Sequence, residues 1–552
     1  MSASASSALP SPPIPSEGIT QTVPPVNTES MYSSPVEKVP FRTWIAVIGS
    51  TLGAFLAILN IQVVGASLAD IQGAIGTGTD EGGWITTAYL VAEIIIIPLS
   101  GWLAKVFSLR TYLLTNIVLF VILSAACAFA QNLDQMIVLR ALQGIAGGVL
   151  IPLAFSIIMT RLPRSLHTVG MAIYSVSVVF APSIGPVLGG YFNDNFGWQS
   201  IFFISVPPGI LMFGMLWYAL DRSPRQFELL RKGDWTGIAL MAVGLGSLET
   251  VLEEGNKDDW FGSSFILRLA IVAVVCLVGF VINELRTSHP LLHLRLLARR
   301  NFGLGTVANF IFGFSMYGWI YLVPQYLSSL QGYDAQQIGG VLIWIGLPQL
   351  VIIPFTPKLM RYFDGRTLAT AGFVMFIVGS MLAGWTSANF SGPQFLGSSL
   401  MRAVAQALVM APLSAVAIAG IEHEFAPSAS ALFNMMRNLG GAVGIAVLQT
   451  FLTKREQFHS NMLTENATLI NEYTQRRIDS LTHYFLSHGV SDLAYARHEA
   501  IVGIGRAIRR QSFFMGFSDT FIMQSVLLVA ALLFVILLKK AGKPSGGVVD
   551  SH

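Results

Sequence analysis

Runs of about 20 apolar residues, separated by short polar connections, recur along most of the chain at the spacing expected for helices that cross a bilayer and return. Fourteen such runs are centred near Ala54, Ile94, Val121, Ala146, Val179, Leu211, Val243, Val274, Phe314, Trp344, Met375, Val409, Gly440 and Leu527. The pattern predicts an all-α polytopic membrane protein, and an even number of crossings puts both ends of the chain on one side. Residues 1–40 are instead rich in Ser, Pro and Thr, without an apolar stretch of signal-peptide length, and read as a disordered tail. The connection 453–513, between spans 13 and 14, breaks the short-loop rule. It is polar, yet Ile478, Leu481 and Phe485, and again Ile501, Ile504 and Ile508, recur at helical spacing, which predicts short amphipathic helices there. Such a connection serves either to dock a partner or merely to cap the bundle.

Charge fixes the orientation that hydropathy leaves open. Only 11% of the residues are charged, against about 25% in soluble domains, which excludes a water-soluble globule. Placing the N-terminus in the cytoplasm gathers Lys105, Arg110, Arg161, Arg164, Arg222, Arg225, Arg231, Lys232, Arg286, Arg295, Arg299, Arg300, Lys358, Arg361 and Arg366 into the short cytoplasmic loops. Lys539, Lys540 and Lys543 then follow the last span on the same side. The opposite short loops hold little beyond Lys257 and Arg268. Cys127 and Cys276 both sit in apolar spans with no Cys or His at metal spacing, and read as small buried hydrophobes.

The chain also repeats itself. Residues 96–111 read IIPLSGWLAKVFSLRT and residues 352–367 read IIPFTPKLMRYFDGRT, an ungapped match at an offset of 256. Span 10 is therefore the counterpart of span 2. This predicts two six-span halves, 41–222 and 300–540, around an inserted pair at 233–285, with a cytoplasmic tail at 541–552. In transporters built this way the substrate site lies near the bilayer midplane between the halves.

Against that apolar background a few polar residues stand out. Glu93 sits alone in TTAYLVAEIIIIPLSG (86–101); an acid at a helix centre costs roughly 2.5 to 3.5 kcal/mol, which marks it as a proton or substrate site. Thr86, Tyr89, Glu93 and Ser100 share one helical face, predicted to point inward. At the repeat offset Glu93 faces Gln349, so the titratable group belongs to the first half alone. Arg140, in span 4 beside the Gly144 and Gly148 packing face, is the expected electrostatic partner of Glu93. Asn434, Arg437, Asn438 and Gly441 form a polar face in span 13, and Arg402 adds a buried base in span 12. Tyr89, Met316, Tyr317, Trp319, Tyr321 and Trp344 are candidate aromatic and Met lining of a cavity. Glu249 of span 7 also interrupts an apolar run; lying in the inserted pair, near Glu253 and Glu254, it reads as structural or interfacial.

Five stretches carry a resemblance: GPVLGG at 185–190, RALQGIAGG from Arg140, GWQSIFFISVPPG at 197–209, DWTG from Asp234, and SALFNMMRNLGGAVG at 430–444. Together they make the chain resemble the fourteen-span drug:proton antiporters of the major facilitator superfamily, in particular the EmrB-type pumps of the bacterial inner membrane. The resemblance covers about residues 42 to 540. It implies a major facilitator fold of fourteen transmembrane helices. It also implies proton-coupled export of amphipathic or aromatic compounds by alternating access, driven by the proton gradient without a cofactor. A periplasmic membrane-fusion adaptor and an outer-membrane channel are the implied partners. On this basis Gly185, Pro186, Gly189 and Gly190 form the antiporter motif, and Asn60, Tyr89, Gln349, Asn434, Arg437 and Arg402 are expected at the substrate cavity. Lys105, Arg110, Arg361 and Arg366 would belong to a cytoplasmic gate loop.

Two positions depart from the family pattern. Lys105 and Val106 replace the Asp-Arg of the loop after span 2, and span 1 reads LNIQVVGASLAD, with Asn60 where relatives often keep an acid. Glu93 is then expected to take over the titration that span 1 lacks. Export of an endogenous metabolite or siderophore is the alternative within the class. An enzyme is disfavoured: no HExxH, GxSxG or phosphate loop is present, and His167, His289, His293 and His423 all lie in or beside predicted loops.

Overall fold

The computed structural model describes residues 39–539, apart from 164–165, 232, 288–289, 386–389 and 423–424. Residues 1–38 of the tail expected at 1–40, the whole tail expected at 541–552 with Lys543, and Lys540, Arg164, Lys232, His289 and His423 lie outside the described residues. Among those described, fourteen helices are long and apolar enough to cross a membrane. Spans 1 to 6 are Phe41–Ala66, Trp84–Phe107, Leu109–Cys127, Leu133–Arg161, Val169–Phe196 and Ser200–Ala219; spans 7 and 8 are Trp235–Glu254 and Ser264–Arg286. Spans 9 to 14 are Arg300–Gln331, Gln336–Tyr362, Gly365–Ala383, Gly392–Ile418, Ser428–Asn466 and Leu493–Ile536. Every predicted centre falls inside its helix.

Local chemistry sets several of the starts. Asn132 caps span 4 by accepting from the Gln135 amide at 2.9 Å, and Asp234 caps span 7 through the Gly237 amide at 2.9 Å. Asp334 and Gln337 close a capping box on span 10.

The packing repeats as the sequence does. Span 1 packs on span 5 as span 9 packs on span 13; span 2 packs on span 4 as span 10 does on span 12; span 3 packs on span 6 as span 11 does on span 14. Between the two groups, span 2 meets span 13 and span 5 meets span 10, a pair of contacts that the same operation exchanges. The inserted spans do not stand apart from this arrangement. Span 7 lies against span 2, with Gly246 facing Val91 and Ile95, and span 8 covers span 7. Span 8 leaves Val274 and Val275 more than three-fifths exposed, so its outer face is suited to lipid. Cys127 is buried, but Cys276, on this outermost span, is only half-buried, which corrects the reading of both as core residues.

The long polar connection is mostly helix, as its periodicity predicted, but most of it belongs to the span helices. The span 13 helix runs unbroken over Ala426–Asn466 and the span 14 helix over Leu493–Ile536, 41 and 44 residues. At about 1.5 Å per residue these are roughly twice the 30 Å of a hydrocarbon core, so both project well beyond it. A separate helix, Glu472–Ser487, packs on span 14 with Ile478 buried, as its spacing predicted. The 501–508 segment, expected as a short helix, is instead an interior part of span 14. Asp519 ties the projection to span 13 through Arg455 and His459, at 2.6 and 2.7 Å.

Candidate functional site

Between spans 1, 2, 4, 7, 9 and 13 lies a cavity of about 120 Å³. Its wall is largely isoleucine, including Ile58, Ile61, Ile94, Ile97 and Ile151, and into that wall are set Gln62, Glu93, Glu249, Glu253, Tyr317 and Asn438. Glu93 and Glu249 are 5% and 4% exposed. Among the described residues no Lys or Arg lies within ion-pair distance of either, and Oε2 of Glu249 has no hydrogen-bond partner. Lys257 pairs instead with Glu254, at 2.9 Å, and Thr87 donates to the same carboxylate at 2.9 Å. A charge left alone in an apolar wall is costly, and a proton or a cationic ligand removes that cost.

Helix packing fixes where Glu93 points. Gly148 of span 4 sits so close to span 2 that a Cβ on it would lie 3.0 Å from the Glu93 backbone and strike Ile96. Gly189 plays the same part for span 5 against span 1, where a Cβ would lie 3.0 Å from the Val63 carbonyl oxygen. The predicted face of span 2 is therefore divided. Leu90, Glu93, Ile94 and Ile97 border the cavity, while Tyr89 and Ser100 are fully packed away.

Arg140 is fully buried but does not form an ion pair with Glu93. Its Nη1 donates to Asn60 Oδ1 at 2.6 Å and to Gln143 Oε1 at 2.7 Å, its Nε donates to the Ile85 carbonyl at 3.2 Å, and its guanidinium lies 4.4 Å over the Tyr89 ring. Tyr89 is one helical turn from Glu93, so the ring under the guanidinium neighbours the acid along span 2. Asn60 is thus the anchor of an arginine and not part of the cavity wall.

The other expected cavity residues are also packed away. Gln349 Nε2 donates to Gln406 Oε1 at 2.6 Å and to the Ile345 carbonyl at 2.7 Å. Arg402 is clamped 4.1 Å from the rings of both Trp319 and Phe376, and donates to Ser380 Oγ at 2.5 Å and the Ser315 carbonyl at 2.8 Å. Asn434 accepts from the Tyr174 hydroxyl at 3.3 Å, joining span 13 to span 5, and Arg437 is buried beside Tyr174 and Tyr317. From the polar face of span 13 it is Asn438 and Gly441 that reach the cavity. Of the aromatic and Met candidates only Tyr317 lines it: Met316 and Trp319 are buried in the core, and Trp344 is 46% exposed on the bundle's flank.

Of the expected gate residues, Lys105 and Arg361 are exposed at helix ends, Arg110 lies 5.0 Å over the Trp217 ring, and the Arg366 amide is capped by Asp364. Pro186 and Gly190 lie within the span 5 helix with Gly185 and Gly189. Sequence reasoning missed that Glu249, Glu253 and Gln62 share the cavity with Glu93. The available signal was the i, i+4 spacing of Glu249 and Glu253, which puts both on one face of span 7.

Fourteen membrane-length helices among the described residues, twelve of them packed as two repeat-related groups with a carboxylate-bearing cavity between them, define a polytopic membrane transporter. The chain belongs to the Major Facilitator Superfamily, whose family model matches residues 50–445. It is 30% identical to the multidrug export protein EmrB of Escherichia coli K12, over 92% of this chain and 98% of that protein. It is 31% identical to the fatty acid resistance protein FarB of Neisseria gonorrhoeae, over 90% and 96%. Among solved structures, the human organic anion transporter MFSD10 matches with a TM-score of 0.53 at 16% identity, over 89% of this chain and 100% of that one. The proton:xylose symporter XylE matches with 0.51 at 16% identity, over 89% and 94%. At these identities the structural matches establish the fold alone.

Proposed function

We propose that the protein exports amphipathic or aromatic toxic compounds across the bacterial inner membrane in exchange for protons, by alternating access, with Glu93 as the titrating group. The observation that carries this reading is the placement of Glu93, buried without a counter-ion, on the wall of a cavity lying between spans of the two repeat groups. Glu249, unpaired on the same wall, is a second candidate carrier of the proton or of a cationic substrate. The names of relatives, multidrug export and fatty acid resistance among them, support lipophilic cargo.

Both termini face the cytoplasm in this reading, on the distribution of Lys and Arg. The projecting ends of spans 13 and 14 and the 472–487 helix would then stand in the periplasm, where they suit contact with a membrane-fusion adaptor leading to an outer-membrane channel. Gly185, Pro186, Gly189 and Gly190 serve as the antiporter motif, and Lys105, Arg110, Arg361 and Arg366 line the cytoplasmic gate. The test is efflux of a fluorescent lipophilic dye from proteoliposomes under an imposed pH gradient. Native protein accumulates dye against its gradient and Glu93→Gln does not. Gradient-driven accumulation by Glu93→Gln would overturn the assignment.

A further inference from the structure

A second and larger cavity, about 590 Å³, opens where span 3 begins and span 6 ends. Its floor is apolar: Leu114, Val118 and Leu119 of span 3 face Phe213 and Trp217 of span 6. Val118, Leu119 and Trp217 are 40, 44 and 53% exposed, so the groove is open to whatever surrounds the bundle, and on a membrane-spanning pair of helices that is lipid. Over this floor stand Arg110, Arg222 and Arg225, and no carboxylate is among the lining residues.

Among the described residues none of the three arginines forms an ion pair, and the acid next to them in sequence, Asp221, is taken by Arg42 at 2.8 Å and Arg161 at 3.4 Å. The place is also built rather than loose. The Arg110 guanidinium lies 5.0 Å over the Trp217 ring. Ser108, at φ 71°, turns the chain from span 2 into span 3, and its hydroxyl lies 2.8 Å from that of Ser223. The Gln226 amide donates to the Val106 carbonyl at 2.9 Å, fixing the segment that carries Arg222 and Arg225 against the same turn.

We propose that this cavity binds an anionic phospholipid, its phosphate among Arg110, Arg222 and Arg225 and an acyl chain along spans 3 and 6. Guanidiniums bind phosphate oxygens in bidentate fashion, and unpaired ones gain most from doing so. A free phosphate would engage the arginines and leave the apolar floor unused, whereas a zwitterionic lipid brings a second cation towards three already present. The site does not depend on what the protein transports.

Native mass spectrometry of the full-length protein in detergent, with phosphatidylglycerol, phosphatidylcholine or inorganic phosphate added, tests this. The native protein retains phosphatidylglycerol in preference to phosphatidylcholine, and that preference falls about fivefold for each of Arg110, Arg222 and Arg225 changed to Gln. Arg222→Lys with Arg225→Lys keeps most of it, and because both side chains are exposed these changes leave the core untouched. Brominated phosphatidylglycerol quenches Trp217, seen as quenching lost in Trp217→Phe and lost equally in the triple Gln variant. Equal retention of the two lipids, an unchanged preference in the triple variant, or displacement of the lipid by millimolar inorganic phosphate would each overturn the proposal, the last by making the ligand a free phosphate.

Discussion

Each group of six spans buries an arginine on the corresponding helix, Arg140 on span 4 and Arg402 on span 12, and the two are treated differently. Arg140 donates to Asn60 of span 1 and Arg402 donates to the carbonyl of Ser315 in span 9. Each lies over aromatic rings, and neither has a carboxylate within ion-pair distance among the described residues. The residues paired by the repeat on spans 2 and 10 then diverge. Gln349 is tied to Gln406 and closed off, while Glu93 carries no such bond and faces a cavity. In the second group the polar residues on these spans hold helices together, whereas in the first one acid is left on a cavity wall.

This contrast makes predictions of decreasing size. Arg402→Ala removes a guanidinium held by two rings and several hydrogen bonds and should cost about 3 kcal/mol or more, seen as a large fall in melting temperature. Arg140→Ala, which loses a similar set of hydrogen bonds but one ring contact instead of two, should melt somewhat closer to the native protein; equal losses would break the contrast. Gln349→Glu places an acid in the closed site, at a cost of roughly 2.5 to 3.5 kcal/mol, and should not restore proton-coupled efflux to Glu93→Gln. Restoration would show that the two sites are interchangeable. In function, Arg140→Ala should reduce transport and alter its pH dependence, because the buried guanidinium over Tyr89, one helical turn from Glu93, is gone. An unmoved profile would make Arg140 purely structural.

The smallest effect is expected at Glu422, whose exposed carboxyl is held below its usual range by the hydrogen bond and charge of Arg299. A lowered carboxyl contributes stability above the ordinary range near about 4.3, and the contribution is lost as pH falls through the native value. Because the pair is open to solvent, Glu422→Gln should not measurably change the melting temperature at pH 7. Any difference between the two proteins should be confined to neutral pH and vanish in strong acid.

Much of this architecture was legible in the sequence. Membrane helices announce themselves because lipid demands unbroken apolar runs, and an acid within one, such as Glu93, has no ordinary reason to be there. The ungapped repeat likewise made span 10 the counterpart of span 2, and the packing of the two groups repeats accordingly. Two things were not legible. Glu249 reads as peripheral because the repeat sets its span aside, and only the packing of span 7 on span 2 brings it beside Glu93. The projecting helices read as short separate helices in a connection, because their polar composition hides that the span helices run on into it. Yet 453–466 holds no Gly or Pro, so nothing stops the span 13 helix where the membrane ends.

The central claim, that Glu93 carries the exchanged proton, is tested most directly by proton release on substrate binding. A weakly buffered, detergent-purified sample containing a pH dye is mixed with a lipophilic cation that the native protein binds. The native protein should release protons, Glu249→Gln should release fewer, and Glu93→Gln should bind the compound while releasing none through that site. Undiminished release from Glu93→Gln would contradict the account.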